Sequence, residues 1–242
     1  MRRGCFVAAA AFLFILAAPF ETLAGASSSG TLEASSPGTL VLDGVRVSLP
    51  VGTTQVVTVN HTRGWHARIT LWEQTGSGWQ KVARTKRGRT GYGGLVVGTK
   101  RHQGTGSTPL GTYGLLSAFG MHPAATGWRL PYRQVRKGDY WVEDNGSAYY
   151  NRYRNKAQGG FRWWLTSGDD TSERLLDYHE QYEYAINTSF NVEQVRHRGA
   201  GIFFHVNGRA ATAGCVSAPR WFLRTAMARL DPARVPVIAI GR

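Results

Sequence analysis

Cys215 and His205 are the residues whose types and spacing suggest covalent chemistry in this chain. A thiol becomes a strong nucleophile only when it loses its proton, and a nearby imidazole is the usual group that takes it. The sequence has two cysteines, and the other, Cys5, lies in an apolar N-terminal stretch. Residues 201–217 read GIFFHVNGRAATAGCVS and carry both reactive groups. The run 201–206 is expected to form a buried strand. Asn207-Gly208 signals a turn at its end. The small residues that follow let the chain loop back, bringing Cys215 beside the strand end that holds His205.

A helix is expected just beyond. Ser217 suits its N-cap, and Pro219 suits its first turn. Phe222, Leu223, Ala226, Met227 and Leu230 would form its apolar face. A thiolate near that helix N-terminus would be stabilised by the dipole. The backbone N–H groups of Gly214 and Cys215, with the Thr212 hydroxyl, are the expected donors to an oxyanion. Against this stands the commoner fate of a lone cysteine among apolar residues, a small core hydrophobe. An unpaired thiol in an exported chain argues for reactivity instead.

Two segments resemble the L,D-transpeptidase catalytic domain, the YkuD-like family. One is His205 followed by Thr212-Ala213-Gly214-Cys215-Val216-Ser217. The other lies upstream, Thr108-Pro109-Leu110-Gly111-Thr112-Tyr113. The chain departs from the common pattern at Ala213, where many members have His, and at Ser217, where many have Arg. It is more similar to a subgroup with a short His-to-Cys loop. The resemblance implies a cysteine acyltransferase of peptidoglycan tetrapeptide stems. Cys215 would form a thioester and His205 would serve as general base and acid, with L,D-carboxypeptidase side activity when water replaces the amine. It also implies that residues 100–116 line the substrate cleft.

Sortases also place His before Cys, but much further apart and with a later Arg near the thiol. Arg220 and Arg224 here fall on the expected helix. NlpC/P60-type peptidases put Cys first. A basic wall-binding module with an inert thiol is the non-enzymatic alternative.

The elements that must position the pair read as a β-rich α+β domain with few helices over 39–242. Strands are expected over 39–49, 54–59, 95–97, 113–116, 182–189 and 235–240. A hairpin is expected of 67–73 and 79–83 around Gly76-Ser77-Gly78. Residues 100–109 read as an exposed loop, 172–177 as a helical turn and 192–199 as an exposed loop. Residues 121–156 are dense in aromatics, which can form a platform or order a long loop. Packing is expected for Trp141, while Tyr149, Tyr150 and Asn151 are candidates for the cleft wall.

The formal net charge is +14. Residues 1–26 have the charged start, short apolar run and Ala24-Gly25-Ala26 ending of a cleaved signal peptide, with an uncleaved N-terminal anchor as the alternative. The run is too short to span a bilayer comfortably, so no stable membrane span is expected after cleavage. Residues 27–38 are small and polar, as in a flexible tether. A basic, exported chain is expected at the cell wall, meeting stem peptides and anionic wall polymer rather than nucleic acid, as a monomer. The basic run 84–89 reads as a solvated loop. Neither a zinc-type ligand cluster nor a phosphate-binding glycine loop is legible, so no metal and no cofactor are expected.

Overall fold

The computed structural model describes residues 38–242. The leader and the tether lie outside the described residues, save Gly38. Fifteen strands and one α-helix are present among those residues. The first two strands, β1 (Gly38–Leu42) and β2 (Val45–Leu49), form a hairpin. Next come β3 (Gln55–Arg63), β4 (His66–Thr75), β5 (Gly78–Arg89), β6 (Leu95–Val97) and β7 (Thr108–Gly120). The aromatic-rich middle supplies the short strands β8 (Tyr132–Gln134), β9 (Asp139–Trp141), β10 (Tyr153–Asn155) and β11 (Glu173–Arg174). The chain ends with β12 (Tyr184–Thr188), β13 (Phe203–Val206), β14 (Val216–Ala218), the helix α1 (Arg220–Arg229) and β15 (Val237–Gly241).

The main sheet runs β12-β13-β14-β5-β4-β3-β15-β7-β6, and β12 also pairs with β7. That extra pairing closes eight of the strands into a ring, which removes their free edges. Residues alternate along each strand. Val57, Val59, Ile69, Leu71, Phe204, Val206 and Ile238 face one core. The expected helix face joins the same core, with Phe222, Leu223, Ala226, Met227 and Leu230 all buried. Burying each of the larger side chains stabilises the fold by roughly 1.5–3 kcal/mol. A second cluster on the other face holds Phe119, Trp141, Tyr150, Tyr182, Phe203 and Cys215. Trp141 packs as expected, its ring edge-on to Phe203 at 4.8 Å between centroids.

Several elements differ from their sequence signals. Residues 84–89 end the long strand β5 rather than forming a loop, because β4 pairs along their length. Arg84 and Arg68 both reach Asp43, in the turn between β1 and β2. Ser217 lies inside β14, where its hydroxyl donates to Asn207 Oδ1 at 2.8 Å. The helix starts at Arg220, with Pro219 as an N-cap that makes no side-chain bond. Residues 172–177 form strand β11 and then a 3-10 turn at Leu175–Tyr178. The glycines of 100–109 suggested exposure, yet Arg101, Gln103, Ser107 and Thr108 are buried. They pack behind the turn that carries Cys215.

Candidate active site

β13 and β14 run parallel, pairing Phe204 with Val216 and His205 with Ser217. Cys215 immediately precedes β14, and the Phe203 N–H donates to its Sγ at 3.3 Å. A period of two therefore puts Phe203, His205 and Cys215 on one face, away from the core that takes Phe204 and Val206. His205 and Cys215 line one pocket of about 460 Å³, walled also by Glu173, Tyr178, Tyr182 and the 208–213 loop. The His-to-Cys loop thus brings the two groups to a common cavity, as its small residues suggest.

Their protonation states differ from those of an activated ion pair. The thiol donates to Gly201 O at 3.0 Å. Burial pushes its pKa up, and the Glu173 carboxylate pushes it further. Burial also lowers His205 to about 4, with a partial offset from its bond to Val206 O. Both groups rest neutral at physiological pH. The helix dipole does not reach the sulfur as expected, since β14 separates Cys215 from α1.

A carbonyl accepts only, so the 2.8 Å contact between His205 Nδ1 and Val206 O fixes the proton on Nδ1. Nε2 is then the basic nitrogen. The Tyr182 ring stands edge-on to the imidazole, centroids 5.5 Å apart.

Thr212 and Gly214 shape the turn rather than presenting free donors. The Thr212 hydroxyl donates to Cys215 O at 2.6 Å and accepts from Gly214 N at 3.2 Å. Gly214 has φ +127°, and a Cβ there would lie 2.9 Å from Ser107 O, so no other residue fits without displacement. The Cys215 N–H makes no hydrogen bond among the described residues and stays available to an oxyanion.

The upstream segment reaches this turn from behind and does not line the pocket. The Thr108 hydroxyl accepts from Gly91 N at 2.7 Å and points at Cys215 O, 3.5 Å away. Tyr150 and Asn151 are struts, not cleft wall. Tyr150 is fully buried, donating to Gln103 Oε1 and accepting from Gly199 N at 2.9 Å. Asn151 Oδ1 accepts from Trp141 Nε1 at 2.9 Å and Gly201 N at 3.1 Å. They hold the segment entering β13, and so Gly201 O against the thiol. Tyr149 is 38% exposed but is covered by the Arg154 guanidinium, 3.4 Å above its ring.

Sequence patterns did not single out Glu173, Tyr182 and Arg101. The Tyr182 hydroxyl donates to Glu173 Oε2 at 2.6 Å. Arg101 is 5% exposed, donates to Ser107 O at 2.8 Å and Arg198 O at 3.0 Å, and favours the thiolate electrostatically. Arg101 sits in a glycine-rich stretch and Glu173 in a charged one (GDDTSERLLD), so nothing local set either apart. No group of His, Cys, Asp or Glu among the described residues is placed to hold a metal ion.

No curated protein and no solved structure matches this chain. The family model for the L,D-transpeptidase catalytic domain, YkuD, matches residues 54–238. That span runs from the residue before β3 into β15 and contains the pocket, the Cys215 turn and the strut residues. The match extends over most of the chain, which therefore belongs to the L,D-transpeptidase catalytic domain family.

Proposed function

We propose that this protein is an exported cysteine L,D-transpeptidase of peptidoglycan, with Cys215 as nucleophile and His205 as general base and acid. The observation that carries the reading is the shared pocket, with a thiol and an imidazole whose free nitrogen is Nε2. The resting groups are neutral, so proton transfer accompanies attack rather than preceding it. The thiol turns from Gly201 O, gives its proton to Nε2, and attacks the amide carbonyl of a stem tetrapeptide. The oxyanion meets the Cys215 N–H, the donor left free by the turn. Nε2–H then protonates the departing amine of the terminal residue, the C–N bond breaks, and a thioester remains. An amine from a second stem attacks the thioester and forms the crosslink. Water in its place gives trimming.

The surroundings suit such a substrate. The chain's charge of +14 favours an anionic wall polymer. No helix among the described residues is long and apolar enough to cross a membrane. Export and wall association are part of the proposal and follow from the leader pattern and the charge.

The test is covalent capture. A carbapenem incubated with the purified protein is expected to add its mass, and the Cys215→Ala variant to remain unmodified. With a tetrapeptide stem, the wild type should release the terminal amino acid. Failure of both on folded protein would leave a wall-binding module with an inert thiol.

A further inference from the structure

Acylation leaves Glu173 without a task, although it lines the pocket with His205 and Cys215. The Tyr182 hydroxyl fixes its Oε2 at 2.6 Å, while Oε1 makes no hydrogen bond among the described residues. The Tyr182 ring that holds it also packs on His205. Tyr182 thus links the carboxylate to the imidazole, and Cys215 lines the same pocket. A half-buried carboxylate with an open oxygen calls for a donor that brings positive charge.

The field of Glu173 has the wrong sign for the first half-reaction, since its charge opposes the Cys215 thiolate. It has the right sign for the second. The incoming group there is an amine, which arrives protonated at neutral pH and is useless as a nucleophile until it loses that proton.

We propose that Glu173 binds the primary ammonium of the acyl acceptor and takes its proton. This rests on the transpeptidase reading of the pocket. The ammonium gives one proton to Oε1, and the freed lone pair attacks the thioester carbonyl carbon. The tetrahedral intermediate collapses and the C–S bond breaks. Sulfur leaves with the bonding pair and receives the second nitrogen proton through His205 Nε2. An amide and a free thiol result, and protonated Glu173 gives its proton to solvent. Water brings no cation, so Glu173 favours crosslinking over trimming.

The neighbours suit this role. Burial raises Glu173 to about 7, against the pull of the Tyr182 bond, giving a base matched to neutral pH. The Glu143 carboxyl is held up by burial and by the charge of Glu173, and is pulled back by Arg101. Tyr178 and Tyr182 feel the same charge and stay protonated. Glu180 and Arg209 complete the pocket wall as groups of opposite sign.

The experiment compares wild type with Glu173→Gln, which keeps an acceptor oxygen for Tyr182. A tetrapeptide stem serves as acyl donor. The acceptors are an Nα-blocked lysine amide and hydroxylamine, which is unprotonated at neutral pH. In the variant, acyl-enzyme should form within about threefold of wild type or faster, transfer to the lysine amine should fall about 100-fold, and transfer to hydroxylamine should stay within about threefold. The acidic limb of the pH profile for lysine transfer should move upward, toward the value of about 10.4 for the free lysine amine. Unchanged transfer to both amines, or an equal loss with both, overturns the proposal. A wild type that forms no acyl-enzyme overturns the transpeptidase reading itself, and the role of Glu173 with it.

Discussion

His205 donates from Nδ1 to the carbonyl of Val206, its neighbour in β13, at 2.8 Å. The orienting element of the imidazole is therefore a main-chain carbonyl rather than a carboxylate. A carboxylate partner would stabilise the imidazolium strongly; a neutral carbonyl fixes the tautomer with little added charge. This fits the general base proposed above, which would carry its proton only during the reaction.

Cys215 is expected to alkylate slowly at neutral pH, with a midpoint above the value of about 8.5 for a free thiol. Burial and the Glu173 charge both disfavour the thiolate, so it appears later on the pH scale. Iodoacetamide rates read by intact mass across pH would show this. Arg101→Met should move the midpoint higher still, because the guanidinium favours the anion. A wild-type midpoint below the free-thiol value would contradict the neutral resting pair.

The His205→Gln variant should lose activity by about 100-fold or more. It should also flatten the acid side of the stability curve. His205 titrates near 4 when folded, against an ordinary 6.5. Between those values the unfolded chain binds more protons, so wild-type stability falls as pH drops through that window, by on the order of 3 kcal/mol. Glu173 acts with the opposite sign. Its folded value of about 7 exceeds the ordinary 4.5, so its contribution is lost as pH rises between them. Urea midpoints at several pH values should therefore move in opposite directions for His205→Gln and Glu173→Gln. Parallel curves for wild type and His205→Gln would show that the imidazole is not desolvated.

Asn151→Ala should destabilise the fold by about 3 kcal/mol, because it strands the Trp141 Nε1–H and Gly201 N–H in the interior. Its own amide also serves Phe190 O and Asn191 O, at 3.0 and 2.9 Å. The backbone there has φ 56°, which alanine tolerates poorly. Tyr150→Phe should cost less, about 1–2 kcal/mol. Denaturant unfolding measures both. Unchanged stability with a raised KM for the tetrapeptide would return these residues to the cleft.

The sequence placed many of the elements because periodicity is local. The helix face from Phe222 to Leu230 and the buried run of β13 follow from apolar spacing over a few residues. The hairpin of β4 and β5 follows from its glycine turn. Ser217 misled because a hydroxyl ahead of a helix looks like a cap, while pairing of β14 with β13 and β5 claimed it for a strand. Tyr150 and Asn151 misled because an aromatic-polar pair in a loop looks exposed until its partners are known.

By itself the sequence put forward the thiol of Cys215, the imidazole of His205 and the glycine between Thr212 and Cys215, because these are matters of residue type and short spacing. The tertiary structure alone decided that Nε2 is the free nitrogen, that the pair rests neutral, and that Arg101 and Glu173 act on the thiol's charge from distant segments. Burial and electrostatic fields depend on what surrounds a group in space. Those surroundings come from segments far apart in the chain, which no local pattern records.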